Sequence, residues 1–96
     1  MQGKDADAAR KIIDDAKALE AAGAFSIVAE AVPAPLGRLL AELVTVPVIG
    51  IGAGVDVDGQ VLVTHDMVGL FDRFVPKFVK QYTMVRPTII DAIKAY

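Results

Sequence analysis

Three places in this chain carry residue types that could do chemistry. Glu30 stands directly after the apolar run FSIVA, Phe25 to Ala29, and before Ala31-Val32-Pro33. Gly50, Gly52 and Gly54 alternate through PVIGIGAG, and Asp56, Asp58 and the dipeptide His65-Asp66 follow. A carboxylate placed at the end of a hydrophobic strand is partly desolvated. Desolvation disfavours the charged form and raises the pKa toward the range of a general base. The same position also suits a loop glutamate that caps a backbone amide or pairs with Arg38, because perturbed carboxylates serve structure as well as catalysis.

The glycines and the residues after them favour structural readings. Alternation puts Gly50, Gly52 and Gly54 on one side of a strand, which implies close approach by a ligand or by neighbouring backbone; tight packing is the commoner cause. The spacing is not that of a dinucleotide fingerprint, since Val55 stands where the last glycine belongs, and no Gly-Lys-Ser/Thr ending makes a phosphate loop. DVDG resembles the middle of a calcium loop, but Gly54 and His65 would then occupy the first and twelfth ligand places, and neither supplies a carboxylate. Asp58-Gly59 reads instead as a turn with Asp56 exposed. His65 is the only histidine. With one aspartate beside it and no serine or cysteine nucleophile, it makes neither a metal site nor a triad, and reads as a hydrogen-bonded structural residue.

These residues need elements to position them. DADAARKIIDDAKALEAAG follows a helical period, with Ala9, Ile12, Ile13, Ala16 and Leu19 on one stripe and Asp14, Asp15 and Lys17 outward. Asp5 or Asp7 caps its start and Gly23 stops it. Phe25 to Ala29 reads as a buried strand. APLGRLLAELVTV reads as a second helix with Leu36, Leu39, Leu40 and Leu43 on its apolar side, weakened by Gly37. PVIGIGAG is a second apolar strand, Val61 to Val63 a third apolar segment, and VPKFVKQY and RPTIIDAIKAY two further helices. Strand, helix, strand at this spacing is a βαβ unit, so the fold class is α/β with parallel strands. In such folds the working residues sit at the C-terminal ends of the strands, which singles out Glu30 and the Gly50–Gly54 segment.

Composition narrows the partners. The 96 residues suit one small domain, with enough apolar material, 54%, for a core. That share is rich for so short a chain, so some apolar surface is expected to meet another polypeptide. A net charge of −2 with dispersed lysines and arginines gives no stripe for nucleic acid. No apolar run is long enough for a membrane span, and the absence of cysteine fits a reducing cytoplasm.

QGK at positions 2–4, DAKALEAAGAFSIVAEAVP, VPVIGIGAGVDVDGQVLVTHDMVGLF and PKFVKQY together resemble the C-terminal part of ketopantoate hydroxymethyltransferase, from Gln2 to about Tyr82. The resemblance implies a (β/α)8 TIM barrel of the phosphoenolpyruvate/pyruvate type, of which residues 1–96 form one partial domain of roughly three of the eight units. It implies a homo-oligomer that transfers a one-carbon unit from 5,10-methylenetetrahydrofolate to the 2-oxo acid 3-methyl-2-oxobutanoate, on the route to pantothenate. It further implies Mg2+ held by residues of earlier strands, none of which this chain contains, and a glutamate proton acceptor that falls on Glu30. The chain is then expected to be inactive without a polypeptide carrying the missing half. The alternative expectation is a non-catalytic α/β remnant that self-associates or binds a partner.

Overall fold

Asp5 opens the first helix, its carboxylate accepting from the Ala8 N–H at 2.8 Å. This satisfies one of the amides that a helix start leaves without a partner. Helix α1 runs Ala6–Ala21, and Gly23, at φ 101°, lets the chain turn out of it. The Lys11–Asp15 pair, 2.7 Å apart, lies on its solvent side. Ala16 is buried, with Ala9, Ile12 and Ile13 packed beside it.

The structure, a computed structural model, describes all 96 residues and divides into two compact units, residues 1–61 and 62–96. In the first unit α1 leads into strand β1 (Ile27–Glu30), helix α2 (Ala34–Leu43), strand β2 (Val48–Ile51) and a two-residue strand β3 (Gly59–Gln60). The sheet order is β1-β2-β3, and both pairings are parallel. The register sets Ile27 beside Val48 and Glu30 beside Ile51. Ile27 and Ala29 point to the covered face, where they join Ala16, Leu36, Leu40, Val44 and Val48 in the core. Val28 and Glu30 point the other way and are exposed. Parallel sheets ordinarily have both faces covered. Here Val28 is 62% exposed, whereas its neighbour Ile49 is half-buried and Ile51, beside Glu30, is buried, so the second face is bare along β1 only.

Several expectations shift. The first strand begins at Ile27 rather than Phe25, because the Ile27 N–H is the first to reach β2's side, at the Pro47 carbonyl (2.9 Å). Of the four leucines assigned to the inner side of α2, Leu36 and Leu40 are buried, whereas Leu39 and Leu43 are exposed. The helix is apolar over a wider arc than α1 and the sheet can cover. The third strand is Gly59–Gln60, not Val61 to Val63; only the Val61 N–H continues the ladder, to the Gly50 carbonyl at 3.0 Å.

The second unit holds a single helical turn, α3 (Thr64–Met67), and helix α4 (Arg86–Ala95). Between them VPKFVKQY is not helical. It makes one turn, with the Val79 N–H on the Pro76 carbonyl at 3.0 Å. Eight residues that bury no apolar side chain fully do not repay helix nucleation. The Tyr82 N–H bonds the Met67 carbonyl and the Val85 N–H bonds that of Val68, and Arg86 pairs with Asp72 at 3.1 Å. Gly69 is buried there at φ 67°, and a Cβ on it would strike Thr83 and Met84. No apolar side chain of this unit is buried, and Ile89, Ile90 and Ile93 of α4 are all exposed. No helix of the chain is long and apolar enough to cross a membrane.

Candidate active site

Glu30 is the last residue of β1, at the carboxyl edge of the parallel sheet. That edge is where α/β folds gather their working side chains, because the loops leaving it are free to vary while the strands stay fixed. Glu30 is exposed in the chain, in place of the partial burial expected of it, because nothing in the chain covers β1 on that side. It joins none of the ion pairs. Arg38 bonds Glu42 one helical turn on, at 3.0 Å, so the pairing of Glu30 with Arg38 does not form. The carboxylate is left free to meet something outside the chain.

The backbone that carries Glu30 is held unusually tightly. Ala31 has φ 52°, the one positive value outside glycine. A left-handed alanine costs on the order of 1 kcal/mol or more and persists only where its surroundings enforce it. They do so here from two sides: the Ala31 N–H donates to the Ile51 carbonyl at 2.9 Å, and the Ala31 carbonyl accepts from the Gln2 N–H at 2.8 Å. Val32 is buried just beyond, and Pro33 with Pro35 starts α2, where their missing N–H groups cost nothing.

Beside β1, the end of β2 leads into the glycine segment. Only Gly50 lies in the strand; Gly52 (φ 65°) and Gly54 (φ 85°) come after it in left-handed conformations, so the three do not share one strand face. Close backbone approach does occur. A Cβ on Gly54 would meet Ala34 at 2.5 Å, and a Cβ on Gly37 would run into the Ala53 carbonyl. The Gln60 amide donates to the Gly54 carbonyl at 2.8 Å, holding this loop from its far side. Asp58 ties the same segment back to β2: its carboxylate accepts from the Val48 N–H at 2.8 Å, and its own N–H donates to the Val48 carbonyl at 3.0 Å. Asp58 is therefore a strand-to-strand clamp, more than the turn residue expected. Asp56 is exposed, as is His65, which lies in α3.

A groove of about 240 Å3 opens along the outer edge of β1, lined by Ile12 and Leu19 of α1, by Val28 and Glu30, and by Gln2. Its walls are mainly apolar, with Gln2, Asp15 and Glu30 the polar residues along it. No three His, Cys, Asp or Glu side chains gather anywhere in the chain to hold a metal ion. The position of Glu30 at a strand end is legible from the apolar run before it. Ala31 and Gln2 carried no signal of their own, since an alanine looks unremarkable until its φ is known; the glycine of Gln2-Gly3-Lys4 was the available hint.

Known proteins give the site its context. The sequence model described as ketopantoate hydroxymethyltransferase matches residues 1–96. Across all 96 residues the chain is 55% identical to the 3-methyl-2-oxobutanoate hydroxymethyltransferase of Geobacillus kaustophilus, covering 34% of that protein. It is 52% identical to the protein of the same name from Shewanella piezotolerans, covering 36% of it, and 55% identical to that of Heliobacterium modesticaldum, covering 35%. The chain thus spans about a third of the length of the curated relatives it matches. With the match running from first residue to last, and through the segment that presents Glu30, the chain belongs to the ketopantoate hydroxymethyltransferase family.

Proposed function

We propose that this chain supplies the proton-accepting strand of a 3-methyl-2-oxobutanoate hydroxymethyltransferase, as the C-terminal part of a TIM barrel. In this reading Glu30 removes the proton at C3 of the 2-oxo acid. The resulting carbanion, delocalised as an enolate, takes the one-carbon unit of 5,10-methylenetetrahydrofolate, with water supplying the new hydroxyl, to give 2-dehydropantoate and tetrahydrofolate. A proton beside a ketone is too weakly acidic for a free carboxylate in water, so the acceptor must be fixed in place and shielded once the site is complete. The observation that carries the reading is the position of Glu30: the terminal residue of a parallel strand, its carboxylate unpaired, on the open side of β1.

Magnesium, which the family resemblance implies, would on this reading take its protein ligands from the length of the relatives that these residues do not span, since no three His, Cys, Asp or Glu side chains gather here. The bare side of β1 calls for further polypeptide, either the remaining length of the barrel or other copies in a homo-oligomer. The test uses the complete protein, or this chain with a polypeptide supplying the remaining length. It follows exchange of the C3 hydrogen of 3-methyl-2-oxobutanoate with solvent deuterium. Glu30→Gln is expected to slow exchange by about a hundredfold or more; exchange at the original rate removes Glu30 from the role.

A second reading, a non-catalytic module that binds its own kind or a partner, is favoured by the exposure of Val28 and of the α4 isoleucines. Exchange and turnover appearing on complementation would exclude it.

A further inference from the structure

We propose that the Gln2-Gly3 strap, acting through Ala31, positions the Glu30 carboxylate. This rests on reading Glu30 as the proton acceptor. Ala31 is the only non-glycine residue in the left-handed region, and it immediately follows Glu30. Strained backbone that its surroundings over-determine is concentrated where geometry has to be held for function. Two hydrogen bonds do the holding. The Ile51 carbonyl fixes the Ala31 N–H from within the sheet, and the Gln2 N–H fixes its carbonyl from outside. Without the second, the Ala31–Val32 peptide is free to turn and Ala31 to relax toward negative φ. That pulls on the one remaining bond, from the Ala31 N–H to Ile51, that fixes the peptide joining it to Glu30.

The strap is itself set in place by packing. Gly3 has φ 73°, and a Cβ there would meet Leu36 Cδ2 at 2.5 Å and Ile12 Cδ1 at 3.0 Å. It is thus pressed against one buried residue of α2 and one partly buried residue of α1. A chain of contacts runs from the core through Leu36, Gly3 and Gln2 to Ala31, and ends beside the carboxylate. Displacing a reacting group by 1 Å can cost about a hundredfold in rate, so control of the Ala31 backbone is control of the site. Ala31 and Gln2 are positioning residues; neither is asked to touch substrate.

The experiment compares Gln2→Pro, Ala31→Val, Ala31→Gly and Glu30→Gln in the complete protein, with 3-methyl-2-oxobutanoate and solvent deuterium as probe. Proline removes the N–H whose hydrogen bond the Ala31 carbonyl accepts and fixes φ besides. Gln2→Ala, which loses the same side chain but keeps the N–H, is the control and is expected to exchange faster than Gln2→Pro. Valine tolerates the left-handed region worst, and glycine adopts it freely. Ala31→Gly is expected to keep C3 exchange within about twofold. Gln2→Pro and Ala31→Val are expected to slow it by about tenfold to a hundredfold with KM unchanged and the fold retained, and to move the midpoint of its pH profile. Unchanged exchange in folded Gln2→Pro overturns the proposal, as does a loss confined to KM, or unfolding of both variants, since the strap would then serve stability alone. If Glu30→Gln still exchanges, it is the proton-acceptor reading that falls, and the proposal with it. If Glu30→Gln is dead and Gln2→Pro is not, only the positioning role fails.

Discussion

Gly37, in the middle of α2, lies so close to Ala53 that a Cβ on it would collide with the Ala53 carbonyl oxygen. A glycine inside a helix ordinarily weakens it relative to alanine. Here it is what allows the loop after β2 to seat against the helix, with Ala53 fully buried. Gly37→Ala should therefore reverse the usual sign and destabilise by about 1–3 kcal/mol through overpacking. The urea midpoint measures it, and a midpoint that rises would contradict the close approach.

Asp58 holds Val48, which is 0% exposed, by accepting from its N–H. Asp58→Ala leaves that buried amide without a partner, a cost of about 1–3 kcal/mol. Asp58→Asn keeps an acceptor oxygen and should lose less. Equal losses in the two variants, compared by denaturant unfolding, would place the role of Asp58 elsewhere.

The Glu20 carboxylate accepts from both the N–H (2.6 Å) and the hydroxyl of Thr45, tying the last turn of α1 to the loop before β2. These bonds from Thr45 hold its pKa below the ordinary 4.5, with desolvation opposing them. The charged form is the one favoured on folding, so the contribution is complete above that ordinary value and is lost as pH falls through the lower, folded one. Melting temperature followed from pH 7 downward should show the wild type losing its advantage over Glu20→Gln in the acid range. A gap that stays constant with pH would mean the carboxylate's charge plays no part.

Glu30 has no partner in the chain to lose. Glu30→Gln should change stability by less than about 0.5 kcal/mol, as surface substitutions away from such features do, while C3 exchange falls by about a hundredfold. A large loss of stability, seen by the same thermal scan, would show that the carboxylate has a structural bond.

The sequence also sets the limits of what could be read from it. The α1 stripe and its Asp5 cap, the β1-α2-β2 order and the parallel pairing follow from periodicity, capping chemistry and connection length, all of which act over a few residues. VPKFVKQY shows the converse: its composition permits a helix, but none forms where no apolar side chain is fully buried. The same applies to Val61 to Val63, where β propensity alone supplied no partner strand, and pairing fell on Gly59 and Gln60 instead.

What the residues determined by themselves was a parallel α/β unit with a carboxylate at a strand end, together with the motifs that carry its family. Local physics suffices for those, because each depends on neighbours along the chain. Only the tertiary structure decided that Leu39 and Leu43 stay exposed, that Glu30 stands on an uncovered side of β1, and that Gln2 reaches Ala31. Those outcomes depend on which distant segments meet, and a left-handed alanine exists only because two of them converge on it.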